Sequence, residues 1–149
     1  MIEAAGPEAC ELLANLHARA FDKPWSAAEF AKLMDNSAVF ALIERAQEPR
    51  GCIMAWTAAG DGEILTVAVI PEARRTGIGA ALVSAAGAAA LLRGAASLHL
   101  EVAETNVAAR ALYAKLGYEE AGRRAGYYAG EGGAVDAIVM RRDLPRPPV

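Results

Sequence analysis

The chain is poor in cysteine. Only Cys10 and Cys52 occur, and neither belongs to a C-x-x-C pair. That excludes a dense disulfide framework and points to buried thiols in a reducing compartment. Basic residues are not in excess either. The formal net charge is −3, which argues against a nucleic-acid partner held by bulk electrostatics. No run is apolar and long enough to span a bilayer, because the alanine-rich stretch after Gly79 is broken by Ser84 and Arg93. The opening MIEAAGPEACELL lacks the basic, apolar and small-residue regions of a signal peptide. A cytoplasmic protein is expected, with no metal and no membrane partner. Repeats and a second domain are not evident.

What is present is a sizeable core. With 149 residues, 54% of them hydrophobic, the chain suits one folded domain, expected over 1–144 with a frayed tail at 145–149. The stretch that organises it is ILTVAVIPEARRTGIGAALVSAAGAAALL, Ile64 to Leu92. Ile64–Ile70 is β-branched and apolar and predicts a buried strand. Pro71 ends the ladder because it has no N–H to donate. Two arginines and Gly77-Ile78-Gly79 follow, and then a helix rich in alanine. Strand, turn, glycines and helix make an anion cradle, in which free N–H groups and the positive end of the helix dipole face the ligand. A mononucleotide loop would need Lys and Ser or Thr after the glycines, where this chain has Ala80, Ala81 and Leu82. A dinucleotide fingerprint would place the glycines directly after the strand.

Elsewhere the pattern predicts a helix over Pro7–Arg19 and a second over Ala27–Met34, the latter opened by a Ser26/Glu29 capping box. Met1–Ala5 is too brief to assign. Strands are predicted at Ala38–Glu44 and Gly51–Ala58, joined by a turn at Gln47–Arg50, and Ala59–Gly62 turns into the organising strand. Ser97–Ala103 alternates, with Leu98, Leu100 and Val102 on one face and His99 and Glu101 on the other. A right-handed crossover makes it parallel to Ile64–Ile70. A helix over Asn106–Leu116 follows, then a strand from Tyr118 to about Ala121, a glycine-rich link over Arg123–Gly133, and a last strand over Ala134–Met140. The class is α/β.

Two residues invite a chemical role. Glu101 is the one charge in an apolar strand, either a strand-end acid reaching water or a general base. Tyr113 either packs with its hydroxyl exposed or donates a proton. Trp25 reads as a core plug or as a ligand platform, and Asn106 as an N-cap that could also face a ligand.

Taken together, LTVAVIPEARRTGIGAAL, LHLEVAETNVAARALYAKLGY, the Tyr127-Tyr128 pair and GAVDAIVM resemble, in order and spacing, the GCN5-related N-acetyltransferase superfamily. With Pro24-Trp25-Ser26 they are most similar to its branch that acetylates the N-terminal alanine of ribosomal small-subunit protein eighteen. The resemblance implies a mixed, mostly antiparallel, splayed sheet of about six or seven strands with helices on both faces. It implies acetyl-CoA as cosubstrate and direct attack by an amine in a ternary complex. Val67, Ala68 and Val69 would pair with the pantetheine arm. Arg74, Arg75, Thr76, Gly77, Ile78, Gly79 and Ala80 would wrap the pyrophosphate, and Asn106 would lie near the thiol end. Glu101 aligns with the proton acceptor and Tyr113 with the proton donor. Tyr127, Tyr128 and Trp25 belong to the acceptor side, where an N-terminal ribosomal peptide is the implied partner. Ala80, Ala134, Val135 and Lys23 depart from the family pattern. Competing readings are a transferase for another peptide or small amine, and a non-catalytic acetyl-CoA-binding domain.

Overall fold

A computed structural model describes residues 1–130 and 133–145. The chain runs through β1 (Ile2–Ala5), α1 (Cys10–Ala20), α2 (Ala27–Met34), β2 (Val39–Arg45), β3 (Pro49–Ala58), β4 (Asp61–Val69), α3 (Ile78–Leu92), β5 (Ser97–Ala103), α4 (Val107–Lys115), β6 (Glu119–Gly130) and β7 (Gly133–Asp143). The strands form one seven-stranded sheet in the order β1-β2-β3-β4-β5-β7-β6. Every neighbouring pair is antiparallel except β4 and β5. This is the expected mixed, mostly antiparallel sheet.

The two faces of β3 explain how the helices divide. A Cβ on Gly51 would stand 3.1 Å from Leu82 Cδ1 and 3.2 Å from Ile78 Cγ2, so α3 lies close on that face. Met54, on the opposite face, pairs with Thr66, which bonds His17 of α1. With helices on both sides, Cys52, Ile53, Met54 and Ala55 are all buried. The Ser26 capping box forms as predicted, with Glu29 N–H donating to the Ser26 hydroxyl at 3.1 Å. Gly94 and Gly117 follow α3 and α4 with positive φ, as expected of helix ends.

The functional geometry comes from an incomplete ladder. The parallel pairing of β4 with β5 covers only Asp61, Gly62 and Glu63 against Ser97, Leu98 and His99. Beyond it the strands diverge. At the same place Met54 pairs with Thr66 but Ala55 with Ile64, so Leu65 is an extra residue that bulges β4. Ile70 N–H donates to Arg50 O at 2.9 Å, which fixes the phase of the strand. Ala68 and Ile70 give their backbone groups to β3, while Val67 and Val69 turn theirs into the opening.

Several expected boundaries move. Met1–Ala5 does form a strand, at the sheet edge, because β2 offers a partner for Ile2–Ala5. Pro7–Ala9 is a 3-10 turn ahead of α1 rather than α-helix. The turn after β2 is shorter than predicted, since Pro49 already begins β3, a position that needs no ladder N–H. Likewise Asp61 and Gly62 belong to β4, and Ala59 and Gly60, both with positive φ, make a two-residue hairpin turn. The largest change is at Arg123–Gly133. Most of this expected link is strand β6, paired with β7 across two register shifts, at Glu120/Gly122 and Arg124/Tyr128. These breaks destroy the period-two pattern that would have announced a strand. Residues 131–132 of that link, and 146–149 of the expected tail, lie outside the described residues.

Candidate active site

Two clefts lie along β4 at its opening toward β5. The first, about 620 Å³, is lined by Val67, Ala68, Val69, Arg74, Arg75, Gly77, Ile78, Gly79, Ala80, Asn106 and Tyr113, together with Phe21 and Leu112. The first intrahelical bond of α3 runs from Ala81 N–H to Gly77 O at 3.0 Å. The N–H groups before it have no partner inside the helix and face this cleft with the positive dipole end. Gly77 has φ +85°, and Arg75 also adopts a left-handed φ, of +64°. The pair curls the loop so that successive N–H groups converge. Gly79 is different. A Cβ there would meet only Leu112 Cδ2 at 3.6 Å and Val69 Cγ2 at 4.0 Å, ordinary contacts. Packing of the protein itself does not require glycine at 79, whereas a ligand approaching the backbone does. Converging N–H groups, Arg75 and the open backbone of Val67 and Val69 fit a long ligand with a phosphate group.

Three of the expected contacts take another form. Ala68 lines the cleft, but its backbone pairs with Cys52, so only Val67 and the Val69 N–H can extend the ladder. Thr76 is not a lining residue, because its hydroxyl donates to Ala73 O and braces the loop from behind. The Arg74 guanidinium donates to Val69 O at 3.2 Å and Ala20 O at 3.1 Å. It ties α1 to β4 at the rim and spends its donors on carbonyls. Asn106 caps α4 through Oδ1, which accepts from Ala109 N–H at 3.2 Å, and also lines the cleft.

Tyr113 lines the same cleft, with Tyr118 packed edge-on against it at 6.2 Å between ring centroids. Burial, and next the neighbouring Tyr128, push the Tyr113 phenol above its ordinary range. It therefore stays protonated at neutral pH. The Tyr118 hydroxyl is buried without a partner among the described residues, and burial pushes it up to about 12.

The second cleft, about 920 Å³, is lined by Trp25, Glu29, Lys32, Leu33, Glu63, Leu65, Glu101, Tyr127 and Tyr128. Trp25 is half-buried against the core and also lines this groove. Glu101 is not a bare strand-end acid. Its side chain is 16% exposed and its carboxylate takes an ion pair from Arg124 Nε at 3.0 Å. The Arg124 guanidinium in turn sits over the Tyr127 ring, 5.2 Å from its centroid.

Three residues that matter here carried no local signal. Arg124 fell in the expected link. Glu63 lines the groove and accepts from Trp56 Nε1 at 3.1 Å. Its only mark in the sequence is a carboxylate immediately before an apolar run. His17 is buried among Phe21, Trp25 and Phe30. Trp25 N–H donates to its Nδ1 at 2.9 Å, so the ring proton is on Nε2 and points to Thr66 Oγ1 at 2.9 Å. Burial lowers the pKa of His17, which is neutral. Phe21 and Trp25, held by this ring, line the first and second clefts respectively.

The family described as Acetyltransferase (GNAT) family matches residues 9–118. The [ribosomal protein bS18]-alanine N-acetyltransferase of Escherichia coli strain K12 is 33% identical over 126 residues, covering 85% of each chain. The crystal structure of the ribosomal-protein-S18-alanine N-acetyltransferase from Escherichia coli superposes with a TM-score of 0.91 at 28% identity, covering 99% of this chain and 96% of that one. Arabidopsis thaliana NAA60 in complex with acetyl-CoA has a TM-score of 0.80 at 17% identity, covering 97% and 98%, a likeness of fold.

Proposed function

We propose, from the premise that this chain belongs to the acetyltransferase (GNAT) family and is an N-acetyltransferase, that it moves the acetyl group of acetyl-CoA to the N-terminal alanine of a ribosomal protein. The observation that carries the reading is that both clefts lie along β4 at the β4–β5 opening, one at Glu63–Leu65 and the other at Val67–Val69. A backbone anion cradle lies on one side and a carboxylate in an aromatic groove on the other. The relative at 33% identity supports small-subunit protein eighteen as the acceptor. Two free, buried cysteines suit a cytoplasmic setting.

When bound, acetyl-CoA supplies the thioester acetyl group. The N–H groups from Gly77 to Ala80 and the Arg75 side chain would hold its pyrophosphate. The open backbone groups of Val67 and the Val69 N–H would dock its pantetheine arm as an added strand, and the Val67 N–H would face charge developing on the acetyl oxygen. Glu101 would take the proton that the attacking amine must lose. An α-amine, with pKa near 8, is already partly neutral at cell pH, so one proton is all a base must remove. Tyr113, still protonated, would deliver a proton to the departing sulfur. Cys10 and Cys52 are buried and line neither cleft, and burial pushes the Cys52 thiol up to about 12. Attack is therefore direct, with the two reactants brought together by adjacent clefts.

The test pairs the protein and acetyl-CoA with a peptide copying the amino terminus of small-subunit protein eighteen, the same peptide with a blocked terminus, and a panel of small amines. Mass spectrometry should show acetylation of the free alanine terminus alone. A clear preference for a small amine would end the ribosomal reading.

A further inference from the structure

Glu101 already has a cation beside it before any acceptor arrives. Glu101 and Arg124 flank β7, opposite Val139 and Ala137 respectively, on one face of the sheet. Between Arg124 and Tyr128, β6 carries two more residues than the facing β7 segment, Ala137 to Val135. The extra length is held by Asp136, whose Oδ1 accepts from Gly126 N–H at 2.8 Å and whose Oδ2 accepts from Arg123 at 2.9 Å. Gly126 has φ +60°, which the bulge requires. The result is that Arg124, its side chain 57% exposed, lies between the Glu101 carboxylate and the Tyr127 ring. The other ionisable groups around Glu101 are Tyr127 and Tyr128 on β6, His99 on β5, Asp61 and Glu63 on β4, and Glu29 and Lys32 of α2 across the groove.

We infer that Arg124 is a specificity-determining residue: by satisfying Glu101 with a fixed positive charge, it makes the groove admit amines in their neutral form and reject ammonium. The inference rests on the reading of Glu101 as proton acceptor. An incoming ammonium would have to displace Arg124 and sit beside it, and like charges repel strongly in a partly buried site. A neutral amine meets no such cost. It brings its lone pair to the acetyl carbon, forms the C–N bond, and gives its one surplus proton to Glu101 while the C–S electrons leave with sulfur.

The consequence is discrimination by basicity. At pH 7 roughly one α-amine in ten is neutral, against about one lysine side chain in 2,500. Arg124 turns that difference in population into a preference for chain termini over lysine side chains. Without it, Glu101 can pair with an ammonium, so docking no longer depends on the neutral fraction.

The experiment uses full-length wild type, R124Q and R124K with acetyl-CoA and two peptides. One carries a free alanine terminus and no lysine. The other has a blocked terminus and one lysine. The ratio of kcat/KM values, terminus over lysine, should fall about tenfold or more in R124Q and stay within about threefold of wild type in R124K. In wild type, kcat/KM for the terminal amine should rise with pH toward about 8 as the neutral form accumulates. In R124Q that rise should flatten. Calorimetry should show unchanged acetyl-CoA affinity in all three proteins. An R124Q enzyme that keeps both the ratio and the rise overturns this inference alone. A wild-type enzyme that acetylates neither peptide overturns the acceptor reading and the inference with it.

Discussion

His17 Nε2 and Thr66 Oγ1 meet at 2.9 Å, tying the last turn of α1 to the residue before Val67 on β4. The ring is also the acceptor for Trp25 N–H. One neutral imidazole thus fixes both the loop that walls the two clefts and the strand that offers its open edge. His17→Ala leaves the part-buried Thr66 hydroxyl and the Trp25 N–H without their partner and should cost about 1–3 kcal/mol, read by chemical denaturation.

The same ring predicts an acid-side loss of stability. Burial lowers the folded pKa of His17 below its ordinary value of 6.5. Below about pH 6.5 the unfolded chain takes up a proton that the folded chain refuses. Stability is therefore fully present above that pH and declines as pH falls toward the folded value. The melting temperature of wild type should begin to fall just below pH 6.5. The decline in that first window should be shallower in His17→Ala. Equal slopes would show that His17 does not titrate as its burial demands.

Gly77 and Gly79 should separate by the sign of their effects. Gly77→Ala forces a side chain into φ +85° and should lose about 1 kcal/mol of stability. Gly79→Ala meets only ordinary contacts and should gain about 0.5 kcal/mol through reduced unfolded-state entropy. Yet its methyl group stands where a phosphate would approach, so acetyl-CoA affinity should drop about tenfold or more. Thermal melts and calorimetry on the same samples decide. A Gly79→Ala protein that binds acetyl-CoA normally would refute the cradle.

Glu101→Gln and Tyr113→Phe should each lower kcat by on the order of 10²-fold or more while leaving acetyl-CoA affinity unchanged. Because burial raises the Tyr113 pKa, wild-type kcat should hold on the alkaline side to about pH 10. A fall near pH 8 that disappears in Tyr113→Phe would contradict a protonated donor.

Asp136 offers a test of the β6 bulge without touching the proposed chemistry. The Arg123 guanidinium, and then Gly126 N–H, hold its carboxyl below the usual range. Asp136→Asn weakens both contacts. It should raise the peptide KM several-fold, because Tyr127 and Arg124 lose their fixed placement, with acetyl-CoA binding unaffected. An unchanged KM would mean that the bulge is indifferent to its tether.

Local chemistry accounts for what was legible from the residues alone. The Ser26/Glu29 box, the Gly77–Gly79 loop, the Asn106 cap and the alternation of Leu98, Leu100 and Val102 each act within a few residues of chain, and the structure carries all four. What escaped depends on distant partners. His17 and Thr66 are 49 residues apart, and nothing near either one announces the other. The Leu65 bulge exists only relative to β3. Arg124 reads as part of a loop, because glycines and two register shifts erase the strand pattern around it. Glu101 stood out as an acid in an apolar strand, but its counter-ion did not.

The short parallel join at Asp61–Glu63 leaves the sheet as two panels sharing a narrow seam. Strand β4 lines both clefts, while Glu101 of β5 and Tyr127 and Tyr128 of β6 face it across the second one. Substitutions at Tyr127 and Tyr128 of the terminal hairpin would therefore reshape the second cleft without touching the glycine loop of the first. Descendants of such a scaffold are free to change clients while keeping one fuel.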